Sequence, residues 1–120
     1  MKTLNLSLLL ILSITILSCS SSEVANEDPV VIDPTQKVTY EKDVKNIVNN
    51  SCAVSGCHTG SSPAAGISLN TYTQVRSQAE NGNLIGRINS TSNPMPPTGQ
   101  LPSATRSIID QWKADGFLEN

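Results

Sequence analysis

Residues 52–58 read Cys-Ala-Val-Ser-Gly-Cys-His, and they hold two of the three cysteines and the only histidine of this 120-residue chain. Four residues separate the two thiols, so one short loop carries both of them. The imidazole directly follows the second thiol. This loop can therefore offer two nucleophilic sulfurs and one metal ligand to the same bound group.

The spacing is close to Cys-x-x-Cys-His, the signature of covalent haem attachment. In such a site the two sulfurs add to two vinyl groups of one porphyrin, and the adjoining histidine is carried beneath the iron. Here the gap is four residues instead of two. Because Gly56 accepts backbone conformations that other residues avoid, we expect the longer loop to bulge without displacing Cys57 and His58. The motif predicts haem c bonded through Cys52 and Cys57, with His58 as an axial ligand.

Two helices are predicted, one before the motif and one near the end of the chain. The first spans Thr39–Asn50 with Thr39 as its N-cap, and the second spans Ser103–Asp115, opened by Pro102 and closed by Gly116. Each has one apolar stripe at helical spacing, formed by Val44, Ile47 and Val48 in the first and by Ile108, Ile109 and Trp112 in the second.

Shorter elements are expected between these helices. The sequence predicts a turn after Asn70 around Tyr72 and Val75. It also predicts a single helical turn after Asn83 with Leu84, Ile85 and Ile88 facing inward. With only 3% aromatic residues, a domain of this size has little material for a core of its own. A large apolar cofactor would complete such a core.

Four further segments accompany the motif, and together with it they resemble one family. They are Tyr40–Val48, Gly-Ile-Ser-Leu at 66–69, Pro-Met-Pro-Pro at 94–97 and Ile-Asp-Gln-Trp at 109–112. Over residues 38–118 the chain is similar to the small mono-haem cytochrome c domains of bacterial exported proteins, which include members with the longer cysteine spacing. The resemblance implies an all-α, class I-like fold, with the first and last helices packed beside one covalently bound haem. It also implies a histidine and a methionine as axial ligands.

Met95 is the only methionine apart from Met1, and it is the expected second axial ligand of the iron. Pro94 and Pro96 each fix one backbone angle beside it, so its thioether lies on a stiff loop. The alternative is an apolar side chain in a proline-rich turn, with another sixth ligand or none.

Several more residues are weaker candidates for haem contacts. Arg87 could pair with a haem propionate, although a solvated surface arginine is the simpler interpretation. Six apolar residues could pack against the haem or belong to an ordinary core: Ile67, Leu69, Tyr72, Leu84, Ile85 and Ile88.

The N-terminal part of the chain predicts export and lipid anchoring. Residues 1–18 combine Lys2 with an apolar stretch too short to span a bilayer comfortably, which is typical of a signal peptide. They end in Ile-Leu-Ser before Cys19, which resembles the lipobox of bacterial lipoproteins and implies a lipidated Cys19. A plain secretory signal is the alternative. Residues 19–37 form an acidic, flexible tether, and residues 38–120 form the cytochrome domain.

Charge excludes nucleic acid as a partner. Without residues 1–18 the chain has seven basic and ten acidic residues, a net charge of −3, and from Lys37 onward it has seven basic and six acidic residues, a net charge of +1. No basic patch of the kind that binds phosphate backbones is present in this sequence.

These features predict a membrane-anchored, monomeric electron-transfer protein of a Gram-negative cell envelope, on the periplasmic or surface side of the outer membrane. It would exchange single electrons with redox partner proteins and would not be an enzyme. A peroxidase-like haem enzyme needs an open sixth site and distal acid–base residues, and the sole histidine is already used. The motif is also compatible with a disulfide-bonded module without a cofactor, or with a zinc site, although a fourth zinc ligand is not evident.

Overall fold

The computed structural model describes Asp33 and residues 35–120, which fold into four α-helices without β-strands in that part of the chain. The helices are α1 (Lys45–Ser51), α2 (Tyr72–Glu80), α3 (Leu84–Asn89) and α4 (Ser103–Ala114). A π-helical turn, Tyr40–Val44, leads directly into α1, and a 3-10 turn spans Ala64–Gly66. The predicted all-α class is confirmed. The predicted signal peptide, Cys19 and most of the predicted tether lie outside the described residues, among which no helix is long and apolar enough to cross a bilayer.

The first helical segment begins after Thr39, as the sequence predicts, but its cap differs from a standard N-cap. The Thr39 side chain makes no capping hydrogen bond. Instead the Thr39 N–H donates to the Asp43 carboxylate at 2.8 Å. The Val44 N–H reaches back to the Thr39 carbonyl at 3.3 Å, which widens the first turn to the π form. The segment ends at Ser51, one residue beyond the predicted boundary.

Helix α4 ends at Ala114, one residue before the predicted boundary, and Gly116 closes it as predicted with a left-handed φ of +87°. The Phe117 N–H donates to the Trp112 carbonyl at 2.8 Å, and the Gly116 N–H donates to the Lys113 carbonyl at 3.1 Å. This pair of bonds is the Schellman motif, with its usual apolar contact between Trp112 and Phe117. It turns the chain back so that the last residues run beside the first helical segment.

Helix α2 is longer than the turn predicted around Tyr72. Thr71 and Gln74 form a capping box in which each side chain accepts a hydrogen bond from the other residue's backbone N–H. The box satisfies two donors that would otherwise be unpaired at the helix start, so nine residues become helical. The Thr-x-x-Gln pattern at 71–74 is visible in the sequence and is the signal that could have predicted the start of this helix.

All four aromatic residues of the chain meet in one cluster, although 77 positions separate the first from the last. Tyr40 lies 5.5 Å from Tyr72 and 6.1 Å from Trp112 between ring centroids, and Trp112 meets Phe117 edge to face at 4.9 Å. Valines of the first segment and α2 pack around them: Val44, Val48 and Val75. The core therefore forms where α4 crosses the first helical segment.

Backbone hydrogen bonds join the two ends of the domain. The N–H groups of Tyr40 and Glu41 donate to the carbonyls of Leu118 and Glu119 at 2.9 and 3.0 Å. The Trp112 indole N–H donates to the Leu118 carbonyl at 2.8 Å, so the buried ring leaves no polar atom unpaired. We call this junction of residues 38–41 with residues 115–119 the terminal clamp.

We expect Trp112→Ala to lower the free energy of unfolding by about 3–5 kcal/mol, because it opens a large cavity where the four aromatic rings meet. Trp112→Phe is the matched control, since it keeps an aromatic ring and loses the indole N–H bond; it should cost less than half as much. Urea unfolding of the purified proteins measures both. A cost below about 1 kcal/mol for Trp112→Ala would contradict this account of the core.

Candidate functional site

The Cys-His motif forms a loop that closes on itself at the end of α1. The N–H groups of Cys52 and Ala53 both donate to the Val48 carbonyl at 2.8 Å, which fixes the point where the helix ends. The His58 N–H then donates to the Cys52 carbonyl at 3.1 Å. The loop therefore brings its first and last residues together, although six positions separate them.

The four intervening residues form a tight turn. The Cys57 N–H donates to the Val54 carbonyl at 3.0 Å, and Gly56 has a φ of +78°. A Cβ at position 56 would meet nothing within 4 Å, so space does not dictate the glycine. The left-handed backbone does, because it costs other L-residues roughly 1–2 kcal/mol. Gly56 thus supplies the left-handed residue of this turn.

Both thiols of the motif are free and half-buried. Burial raises the pKa of the Cys52 thiol above its ordinary value, and the neighbouring Cys57 adds to the rise because two thiolates repel each other. Cys52 consequently stays a neutral thiol at neutral pH. The structure therefore presents two cysteines of one loop, at the end of α1, as reduced sulfurs.

The segment after the 3-10 turn holds His58 at two points. The imidazole Nδ1 lies 2.9 Å from the Ile67 carbonyl oxygen. On the main chain, the Leu69 N–H donates to the His58 carbonyl at 2.9 Å. Leu69 is itself buried in the core, so this segment is anchored on its far side.

This arrangement sets the tautomer of the imidazole. A carbonyl oxygen only accepts hydrogen bonds, so Nδ1 carries the hydrogen that Ile67 receives. In the neutral ring, Nε2 then presents its lone pair away from Ile67. A metal-bound histidine in proteins usually has this arrangement, with its second nitrogen donating to a carbonyl or carboxylate. The acceptor in this structure is the backbone carbonyl of Ile67.

Met95 is half-buried on the long segment between α3 and α4. Its N–H donates to the Arg87 carbonyl near the end of α3 at 3.0 Å. Further along, the Gln100 side-chain amide donates to the Asn89 carbonyl at 3.0 Å. The Met95 segment is therefore fastened to α3 at two places, besides the stiffening that its prolines supply.

The apolar residues named as possible haem contacts separate into two groups. Leu69 and Ile88 are buried, with 4% and 2% of their surface exposed, and belong to the core. The other four are partly exposed and pack against the outside of the core: Ile67, Tyr72, Leu84 and Ile85. Cys52, Ala53 and Ile108 pack there as well. Partly covered apolar side chains thus come from the motif loop, the Ile67 segment, α2, α3 and α4.

Tyr72 also has a role that its sequence position does not reveal. Its hydroxyl donates to the Phe117 carbonyl at 2.8 Å and accepts from Arg76 at 2.9 Å. The bond to Phe117 ties α2 to the terminal clamp, and the Arg76 bond holds the hydroxyl in place. Together they favour the core interpretation for this side chain.

Arg106 was not singled out by the sequence and carries an unusual polar atom. Its Nε is sealed from solvent and has no hydrogen-bond partner among the described residues. A buried donor without an acceptor costs about 1–3 kcal/mol, more when it is charged. Arg87 is likewise half-buried, and within residues 35–120 the ion pairs are Lys45–Glu41 and Arg76–Glu80. Two half-buried guanidinium groups therefore lie outside those pairs.

Two further features bear on the possibility of a different site. Across the described residues, no three histidine, cysteine or acidic side chains converge on a point that could hold a metal ion. An open depression of about 390 Å³ lies between residues 66–68 and one face of α2. Its lining includes polar side chains such as Gln74 and Gln78, and neither the cysteines, His58 nor Met95 contributes to it.

No protein-family model, curated protein or solved structure matches the chain significantly. The functional interpretation therefore depends on the residues and contacts described above.

Proposed function

We propose that residues 38–120 form a class I-like cytochrome c domain that binds one haem covalently and transfers single electrons. Cys52 and Cys57 would form the two thioethers, and His58 and Met95 would be the axial ligands. The observation that carries this proposal is the hydrogen bond from His58 Nδ1 to the Ile67 carbonyl, because it leaves Nε2 as the ligand atom beside two reduced thiols.

The closed loop supports two-point attachment. Because the His58 N–H donates to the Cys52 carbonyl, the two cysteines lie at the ends of a closed turn instead of an extended strand. In the proposal, both sulfurs would bond to the same porphyrin, and the imidazole that follows the second cysteine would bind its iron. Burial raises the pKa of the Cys52 thiol, so it stays protonated, and its S–H bond would supply both the sulfur and the hydrogen that add across a vinyl group.

Met95 and the two arginines would complete the site. When bound, haem supplies a one-electron couple, and a thioether ligand favours its reduced state. The hydrogen bonds to α3 fix the Met95 backbone, which restricts the positions that its sulfur can reach. Arg87 and Arg106 fit the two propionate carboxylates in number and charge, and a carboxylate would give the buried Arg106 Nε the acceptor that it lacks.

Electron transfer is favoured over haem enzyme chemistry because the chain has one histidine, which the proposal uses as a ligand. A peroxidase-like site needs a further acid–base side chain beside an open sixth position. A disulfide between Cys52 and Cys57 is the second alternative, and it would leave the His58–Ile67 hydrogen bond without a function in ligand binding. We therefore propose an electron carrier that exchanges electrons with redox partner proteins and is not an enzyme.

Attachment is tested by changing both cysteines. Protein made in a host with haem-maturation machinery should keep its porphyrin after denaturation, and Cys52→Ser with Cys57→Ser should abolish that retention. Ser55→Ala, an exposed position on the same loop, is the control and should retain haem fully. Absorbance of the denatured, haem-stained chain gives the measurement. A colourless parent protein would refute the proposal.

Ligation by Met95 is tested by Met95→Ala. The variant should retain haem, because the thioethers and His58 are unchanged. Its reduction potential should fall, and CO should bind the reduced protein, because loss of the thioether opens the sixth position. Thr98→Ala, an exposed site on the same segment, should alter neither property. CO binding by the unmodified protein, without a sulfur-to-iron charge-transfer band, would show that Met95 is not the ligand and would favour the enzyme alternative.

We further propose that lipidated Cys19 anchors the domain to a membrane of a Gram-negative cell envelope. A multiply acylated cysteine holds a protein on the bilayer through its chains, at roughly 0.8 kcal/mol per buried CH₂. Cys19→Ser should therefore move the protein from the membrane fraction to the soluble exported fraction, as immunoblotting of fractionated cells would show. Ser18→Ala is the control and should leave the protein on the membrane. Unchanged membrane association of Cys19→Ser would place the anchor elsewhere.

A further inference from the structure

Charged residues are missing from both segments that carry the proposed site. Residues 46–75 contain Cys52, Cys57, His58 and Ile67 but no Asp, Glu, Lys or Arg. Residues 88–105, which contain Met95, also have none. At the chain-wide frequency of 15%, the first stretch of 30 residues would hold about four or five charges. The exposed surface of these segments consists mainly of serine, threonine, asparagine, glycine, proline and alanine.

The charges of the domain lie elsewhere. Eight of the thirteen charged residues from Lys37 onward lie on or next to the terminal clamp: Lys37, Glu41, Lys42, Asp43, Lys45, Lys113, Asp115 and Glu119. The motif loop begins at the opposite end of the first helical segment, whose twelve residues span roughly 18 Å at 1.5 Å per residue. That distance exceeds the screening length of about 8 Å at physiological salt, so clamp charges act weakly at the loop.

Five charged residues of the domain lie away from the clamp. Arg76 pairs with Glu80 at 2.9 Å, and the exposed Asp110 carboxylate accepts from the uncharged Asn89 amide at 3.0 Å. Arg87 and Arg106 together carry two positive charges, which equal the two negative charges of haem propionates. The loaded site would thus have no net charge from the two arginines and the propionates.

We propose that the uncharged surface of residues 52–70 and 90–102 is where this protein docks its redox partner, and that the partner presents an equally uncharged surface. The inference rests on the proposed electron-transfer function, because it takes the cofactor to lie between these segments. We name this surface the neutral face.

The chemistry of the neutral face determines the kind of partner. A partner that docked through lysines or carboxylates would lose their hydration against a surface that offers no opposite charge, and that loss opposes association. Hydroxyl, amide and small apolar groups avoid this cost, since they exchange hydrogen bonds with water or pack directly. Complementary charges mainly accelerate encounter and make it depend on salt. Docking through the neutral face should therefore depend little on ionic strength.

A second copy of this chain is a defined partner with the same face. In a mixture of reduced and oxidised protein, one copy gives a single electron to the other, so the overall composition does not change. Nuclear magnetic resonance line broadening measures this self-exchange rate. Between about 10 and 500 mM salt, where the screening length falls from about 30 Å to a few Å, the rate should change less than twofold.

Two matched lysine variants test whether the neutral face controls the rate of self-exchange. Ser61→Lys adds a charge to the exposed loop between His58 and Ile67, and should slow self-exchange several-fold at low salt, with recovery at high salt. Ala114→Lys adds the same charge at the exposed end of α4 beside the clamp, and should change the rate less than twofold. A parent protein whose self-exchange changes more than fivefold with salt, or equal effects of the two variants, would overturn the proposal.

A second readout uses the reduced, haem-loaded protein and needs no electron transfer. Hexacyanochromate(III) and tris(ethylenediamine)chromium(III) are redox-inert paramagnetic ions of opposite charge, and both broaden nearby amide signals. The two ions should broaden amides of the neutral face equally, to within about twofold, whereas in Ser61→Lys the anion should broaden the amides around position 61 more strongly. Preferential broadening of the neutral face by one ion in the parent protein would refute its neutrality. A protein that never acquires haem would instead refute the proposed function, and its absorption spectrum shows this before either docking measurement.

Discussion

The crossing of α4 over the first helical segment is the interaction on which the rest of the described structure depends. Trp112 lies at that crossing, meets Tyr40 and Phe117, and donates its indole N–H to the carbonyl of Leu118. A chain with four aromatic residues has concentrated all of them at one point. Since burial of large rings dominates the energetics of a small core, the clamp can hold the domain together while the connecting segments remain without regular structure.

This division explains the two long segments that carry the site. Residues 52–71 and 90–102 contain no α-helix, although irregular connections of such length are uncommon in compact domains and are usually functional. Each is held by a few specific hydrogen bonds instead of by helix packing. Ile67 and Leu69 hold His58 through its side chain and its backbone, and the Arg87 carbonyl holds Met95. The rigid crossing thus supports loops whose conformations are set by single backbone contacts.

Charged side chains are also unevenly distributed. They gather around the terminal clamp and are missing from the segments with Cys52, His58 and Met95. Under the docking proposal, association at those segments depends on shape and local hydrogen bonding instead of on charge.

The sequence alone determined the helical class, the first and last helices and the motif loop, because these features have local causes. Helical spacing of valines and isoleucines, the Schellman glycine at 116 and the glycine at 56 each act within a few residues. The length of α2 also has a local cause, the capping box of Thr71 and Gln74. Only the tertiary structure decided which carbonyl receives the His58 imidazole, that Leu69 and Ile88 belong to the core, and that Arg106 has a buried N–H without an acceptor among the described residues. Those facts depend on segments far apart in the chain meeting at the helix crossing, and no spacing within one segment encodes where a distant one will lie.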